Sequence, residues 1–442
     1  MSGFKDSLLN NKNSNEFAAA DDFSREPVPQ DKTYSGIHIA LIIVGGTIGI
    51  PIFLMAAQIG GSLGLQRAAM AFSIGCLVLG SMGALTSYVG AKTRYSTYML
   101  TEFAFGRNGA KLANFVVAAA LIGWYGVISN VFGQAAYHVL NELYGISVSI
   151  SATVIIGSLL MVGVSISGFK GIDKLALVLV PAMAGFMIYT VSLSYGSIQS
   201  WDIPTGVSEP LTFPLAVSAV IGSYIAGVII QPDYSRFARN IQHAMWAVFI
   251  ALGISFPVVQ FLAAVPSVAT GEQDLMAIML SLGIGVPAFL LLLLGSWSSN
   301  VLNLYSSSLS LATIFTRVHL WQLTVVVGVI GTAIAFLQVQ DYLVNYLILL
   351  GIAIPPIGSI YIVDVLFVRR GYCDDSALDR EPGVDIRAFI AWFIASTAGY
   401  LASENIFTIL GIASMDTILV ASIVYAALKA PRIYEQWAAV KP

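Results

Sequence analysis

Apolar residues run along most of this chain in long stretches, without the strict alternation of a strand or the one-sided stripe of a soluble surface helix. A helix needs about 20 mostly apolar residues to cross a bilayer. Twelve segments meet that requirement, at 36–65, 68–91, 111–139, 149–168, 173–196, 211–231, 242–268, 279–316, 320–339, 342–367, 386–403 and 408–429, called spans 1 to 12. Span 8 is long enough to carry a helical extension at its inner end. The connectors are short and leave no room for a separate soluble domain. The pattern predicts an all-α integral membrane protein with one transmembrane domain at 36–429, between polar tails at 1–35 and 430–442.

Charge orients these spans. With the N-terminus inside, Lys5, Lys12, Arg25, Lys32, Lys92, Arg94, Arg107, Lys111, Lys170 and Lys174 fall on the cytoplasmic side. Arg236, Arg239, Arg317, Arg369, Arg370, Arg380, Arg387, Lys429, Arg432 and Lys441 join them, which places twenty of the 21 basic residues inside and Arg67 alone outside. The outer loops carry Asp202, Glu209, Glu272, Asp274 and Asp341 instead. A wrong span count would scramble that alternation. The expectation is therefore a multi-pass protein of the cell membrane with both termini cytoplasmic. Met1 to Thr33 lacks the apolar core of a secretory signal and reads as a solvated tail.

Composition sharpens the class. The chain is 57% hydrophobic and 10% charged, with a mean hydropathy of +0.82. Soluble proteins carry about 25% charged residues, so a secreted domain, a nucleic-acid binder and a cytosolic enzyme are excluded. Cys76 and Cys373 make no disulfide framework, and His38, His138, His243 and His319 are too scattered for a metal centre. No nucleophile, acid–base pair or metal constellation suggests an enzyme. A channel would repeat a pore element or line it with charge, and neither pattern is present.

Glycine and proline interrupt two spans. Span 1 reads Gly45-Gly46-Thr47-Ile48-Gly49-Ile50-Pro51, and span 6 reads Gly222-Ser223-Tyr224-Ile225-Ala226-Gly227. The two occupy equivalent places if the first five spans repeat as the second five. Paired interruptions of this kind point to a transporter's midplane site, where unwinding frees backbone groups that lipid could not tolerate. The competing role for these glycines is close helix packing. In span 8, Ser299, Asn303, Ser307 and Ser310 share one helical stripe with Asn300 beside it, and such stripes face the protein interior or a watery cavity.

The middles of spans 1, 3, 6 and 8 contain no Asp, Glu, Lys or Arg. A cation held there would rest on neutral carbonyl and hydroxyl oxygens, which suit Na⁺, and the substrate should be uncharged because a buried ion would lack a counter-charge. Trp124 in span 3 and Tyr224 in span 6 could sandwich a flat ring, each stack being worth about 1–3 kcal/mol. Core or lipid-belt packing accounts equally well for Trp124 taken alone.

Together these motifs resemble the nucleobase:cation symporter-1 family, most closely its bacterial cytosine permease branch. The resemblance runs through Gly90-Ala91-Lys92-Thr93, Phe105-Gly106, Gly123-Trp124-Tyr125-Gly126-Val127 and Gly222-Ser223-Tyr224-Ile225. It continues through Asp233 to Asn240, Trp297-Ser298-Ser299-Asn300, and Ile354-Pro355-Pro356-Ile357-Gly358 with Asp364. It implies a five-plus-five inverted-repeat fold with two further helices, importing a neutral nucleobase or related heterocycle with Na⁺ or a proton. By position, Trp124 and Tyr224 would stack on the ring, Asn300 would read a ring edge, and Ser223 would offer main-chain contacts. The carbonyls of Gly49, Ile52 and Gly295 would hold Na⁺ with the hydroxyls of Ser298 and Ser299, those of Gly49 and Ile52 being freed by the interruption. Leu121 and Ala226 stand where the branch has a glutamine and a serine, so the ring edges that are read should differ. The charges of Asp233 to Asn240 read as structural. The expected partners are a nucleobase-like solute, Na⁺ or H⁺ and the bilayer, with no nucleic acid, no cofactor beyond the co-transported ion, and a monomeric carrier. An amino-acid or other small-solute carrier on the same fold is the alternative; it would catch a carboxylate at the span 1 amides.

Overall fold

The computed structural model describes residues 27–29, 33, 35–166, 169–194, 211–271, 286–337, 342–373, 378 and 382–438, and helix occupies each of the twelve apolar segments within them. Most of the expected N-terminal tail lies outside these residues, including Lys5, Lys12, Arg25 and Lys32. Asp202, Glu209, Glu272, Asp274, Asp341, Arg380 and Lys441 lie outside them too, as do the side chains of His38, Lys170 and Lys174.

Span 1 begins as α1 (Gly36–Thr47) and resumes as α2 (Ile50–Thr93). Gly64, at φ 75° and ψ 160°, kinks α2 and separates span 1 from span 2. A buried short helix, α3 (Thr97–Phe105), lies in the next connector. Span 3 is α4 (Arg107–His138), followed by one π-helical turn, and spans 4 and 5 are α5 (Ile150–Ile166) and α6 (Phe169–Ser194). Span 6 divides into α7 (Phe213–Ile229) and α8 (Gln231–Ser235). Span 7 is α9 (Ile241–Phe249) joined through a π-helical turn to α10 (Phe256–Thr270). Spans 8 and 9 are α11 (Val286–Ile314) and α12 (Leu320–Ala335). Span 10 divides into α13 (Leu343–Ala353) and α14 (Pro355–Val363). Spans 11 and 12 are α15 (Ile386–Ser403) and α16 (Ala413–Leu428), and the segment expected as a tail opens as α17 (Ala430–Ala438).

The breaks follow proline more closely than glycine. In span 1, Ile48 and Gly49 are extended and Pro51 stands in the first turn of α2. In span 6 the expected unwinding over Gly222 to Gly227 does not occur. That run is continuous helix, and the break comes at Ile230, just before Pro232. Glycine lowers helix propensity by about 1 kcal/mol but keeps its N–H, whereas proline deletes the donor and blocks the preceding turn. Gly222 serves packing: a Cβ there would sit 1.8 Å from the Leu347 carbonyl of α13.

Two groups of helices result. Spans 1, 2, 6 and 7 pack through α2 against α7, α9 and α10, while spans 3, 4, 8 and 9 pack through α4 against α11, α12 and α5. The ends that carry Lys92, Arg107, Arg236, Arg369 and Arg387 gather on one side, called the basic face below.

Candidate functional site

A cavity of about 70 Å³ lies where the two groups meet. Leu121, Trp124 and Ile128 reach it from α4, a spacing of three and four that keeps them on one helix face. Ser223, Tyr224, Ala226 and Gly227 come from the last turns of α7, Ile230 from the break after it, and Tyr234 from α8. Ser299, Leu302 and Asn303 come from α11; Ile43, Gly46, Gly49, Pro51 and Ile52 surround the break in span 1. None of these lining residues is charged. Leu121 and Ala226, where the resemblance implied a glutamine and a serine, both line the cavity.

Trp124 and Tyr224 are each braced from behind. Trp124 meets Tyr346 of α13 edge to face, with ring centroids 5.9 Å apart at 70°. Tyr346 is held by donating its hydroxyl to the Ala120 carbonyl at 2.8 Å. Gly123 is required for that approach, because a Cβ there would lie 2.4 Å from the Tyr346 hydroxyl. Tyr224 meets Phe256 of α10 at 5.8 Å and 64°, and Gly227 makes room for its ring. Sequence reasoning missed Tyr346; the small residue before Trp124 was its one local signal.

The polar residues divide. The Ser223 hydroxyl donates to the Val220 carbonyl at 2.7 Å, which leaves main-chain groups as what that residue can offer. Asn300 is fully buried and absent from the lining. Its Nδ2 donates to the Tyr125 carbonyl at 3.2 Å and the Ser129 hydroxyl at 2.9 Å, and lies 3.1 Å from the Met161 sulfur, while its Oδ1 has no partner among the described residues. Asn303, one turn later and unassigned in the sequence reading, is the sole carboxamide among the lining residues. Tyr234 ends the cavity toward the basic face and pairs with Ser306 at 2.7 Å.

Of the residues expected around the cation, Ser299 and Gly295 meet span 1. The Ser299 hydroxyl donates to the Gly46 carbonyl at 3.3 Å, and it would lie 3.5 Å from a Cβ at Gly49. Gly295 is pressed against span 1, since a Cβ there would sit 2.8 Å from the Ile48 carbonyl. The Ser298 hydroxyl is buried with no partner among the described residues. Gly49 departs from expectation. Its carbonyl is not free, because it accepts from Ile52 at 3.0 Å and Phe53 at 3.3 Å, as the residue preceding a helix does. Ile52 already lies within α2, where carbonyls are paired along the helix. The carbonyls that a break leaves without helical partners belong to the last turn before it, Gly45 to Ile48.

Solved structures share this architecture. Mhp1, a nucleobase-cation-symport-1 family transporter, matches in a closed conformation with bromovinylhydantoin bound: TM-score 0.80, 19% identity, 93% of this chain and 95% of that one. Its inward-facing conformation matches at TM-score 0.78, again with 19% identity and 93% of both chains covered. The cytosine permease of Escherichia coli O157:H7 is 30% identical over 381 residues, covering 86% of this chain and 88% of that one. The chain is a multi-pass membrane transporter and not an enzyme. The family described as permeases for cytosine/purines, uracil, thiamine and allantoin matches residues 27–422, and the chain belongs to it.

Proposed function

We propose that this transporter imports a neutral, planar nucleobase-like heterocycle together with Na⁺, by alternating access, as a monomer with both termini in the cytoplasm. The observation that carries the reading is the cavity itself, which combines Trp124 and Tyr224 with a lining that contains no charged side chain. A charged substrate would be stranded there, whereas a flat neutral ring gains stacking from either aromatic. Family membership supports the substrate class. Sodium is supported by the unpartnered Ser298 hydroxyl beside Ser299 and Gly295, at the seam between α11 and the broken span 1. An ion bridging that seam would favour one relation of the two helix groups, so Na⁺ and substrate should each tighten the other's binding.

The test is a thermal-shift screen of the purified protein against nucleobases, hydantoins and amino acids, in sodium, potassium and choline salts at equal ionic strength. Bound ligand stabilises by mass action. A shift with one or more heterocycles, larger in sodium, is expected. Shifts with amino acids alone would reject the substrate class, and equal heterocycle shifts in all three salts would reject sodium.

A further inference from the structure

α3 is gripped at both ends. A helix ends with four carbonyls that lack helical partners, and each of those in α3 is taken. Gly106 receives the Ala110 N–H of α4 at 2.8 Å, and Phe105 receives the Asp385 N–H at 2.8 Å. Phe103 receives Arg369 Nη2 at 2.7 Å. Ala104 shares the Tyr425 hydroxyl proton, 3.4 Å from its oxygen, with the Asp364 carboxylate at 2.8 Å. Three of these four partners come from three different spans: Arg369 from the end of span 10, Asp385 from the start of span 11, and Tyr425 from span 12.

The partners are also tied to one another. Arg369 Nε pairs with Asp364 at 2.6 Å and its guanidinium lies over the Phe103 ring. Lys429 pairs with Asp385 and lies over the Tyr425 ring. Two acids and two bases, each under 10% exposed, thus close a neutral ring from Phe103 round to Phe105. Charge-assisted bonds are about twice as strong as neutral ones, and a buried charge that loses its partner is strongly penalised. Gly106 completes the joint: at φ 81°, with a Cβ that would sit 2.4 Å from the Pro382 carbonyl, it takes no other residue without strain.

The N-terminal end of α3 meets span 6. Asp233 accepts the Thr97 N–H at 2.8 Å, and the Thr97 hydroxyl reaches the Ile229 carbonyl at 3.4 Å. That carbonyl, beside the break at Ile230, also accepts the Tyr361 hydroxyl of α14 at 2.8 Å. On this side the chain re-enters α2 through Arg94, which adopts a left-handed elbow at φ 61°.

We propose that α3 and the basic-face ends of spans 10, 11 and 12 form one rigid body, with Asp364, Arg369 and Tyr425 as its positioning residues, against which α8 moves during transport. This assigns the two helices beyond the five-plus-five repeat a task, and Tyr425 and Lys429 lie past the residues matched to the family. The inference rests on the transporter fold and not on the identity of substrate or ion.

The test is hydrogen exchange of the full chain in lipid nanodiscs, in sodium chloride, in choline chloride, and in sodium chloride with uracil, cytosine and hypoxanthine. Exchange over 97–105 should stay constant across conditions and follow that of 386–403, while exchange over 229–238 changes at least threefold. Asp364→Asn should speed exchange over 97–105 at least tenfold with spans 3 and 8 unchanged. Tyr425→Phe, which removes one hydroxyl, should do so severalfold and covers the case in which Asp364→Asn does not fold. Exchange over 97–105 that varies together with 229–238, no change over 229–238 in any condition, or acceleration spread evenly over all spans would each overturn the proposal.

Discussion

The cavity and the ring around α3 are both buried and polar, yet they use their polar groups in opposite ways. In the ring, each acid has its base and every terminal carbonyl of α3 has a donor. Around the cavity, the Ser298 hydroxyl is unpartnered among the described residues, and Asn303 lines open space. Hydrogen bonds already made inside the protein stabilise the fold and have nothing left for a ligand. Unspent capacity in a buried place marks where a ligand is expected. The difference gives a rule for this molecule: removing a polar group from the ring should cost stability, and removing one from the cavity should cost affinity.

The largest effect should come from the ring. Asp364→Asn leaves Arg369 buried beside a neutral amide, and losing one partner of a buried pair costs about 3–5 kcal/mol. Chemical unfolding in detergent should show that loss, while ligand affinity of the folded fraction stays near the parent's. A drop in affinity without a drop in stability would break the comparison. Next is the cavity aromatic: Trp124→Ala should weaken substrate binding by about 1–3 kcal/mol in a protein that still inserts and folds. Near-normal uptake by that variant would remove Trp124 from the ring clamp.

The two asparagines of α11 sharpen the comparison within a single helix. Asn303→Ala should lower affinity by about 0.5–1.5 kcal/mol, the worth of one hydrogen bond, with unfolding unchanged. Asn300→Ala should do the reverse, because its amide ties α11 to α4. Binding titrations and melting curves of both variants decide the matter, and a matched pair of results would erase the distinction. Ser299→Ala should then reduce the sodium dependence of binding by about 1 kcal/mol at most, measured as the affinity ratio between sodium and choline. The smallest expected effect is a change of preference. Leu121→Gln places an amide on the cavity wall and should move competition toward cytosine; an unchanged profile for every base would mean that position 121 reads no ring edge.

The breaks show how far local rules reach. The apolar spans and the interruption of span 1 were legible in the sequence, because a bilayer imposes length and apolarity on each segment separately and proline deletes its own N–H wherever it stands. The same rule applied to Pro232 would have put the break of span 6 at Ile230; weighting the glycines put it earlier. Trp124, Tyr224, Leu121, Ala226 and Ser299 were expected at the site and do line one cavity, which the resemblance carried by position. The short helix α3 left faint traces, Ser96 as its cap and Gly106 at its end, inside a connector too brief to attract attention.

By itself, then, the sequence determined the class of protein, the placing of its apolar spans and the absence of charge in the midplane, all of which depend on residues close together along the chain. Only the tertiary structure decided which polar groups are spent. The amide nitrogen of Asn300 turns to Tyr125 and Ser129, more than 170 positions away, and Tyr346 reaches Trp124 across some 220 residues. Tyr425 closes on Ala104 across 321. Such pairings follow from how helices pack in three dimensions, and no periodicity within one helix encodes the partner it will meet.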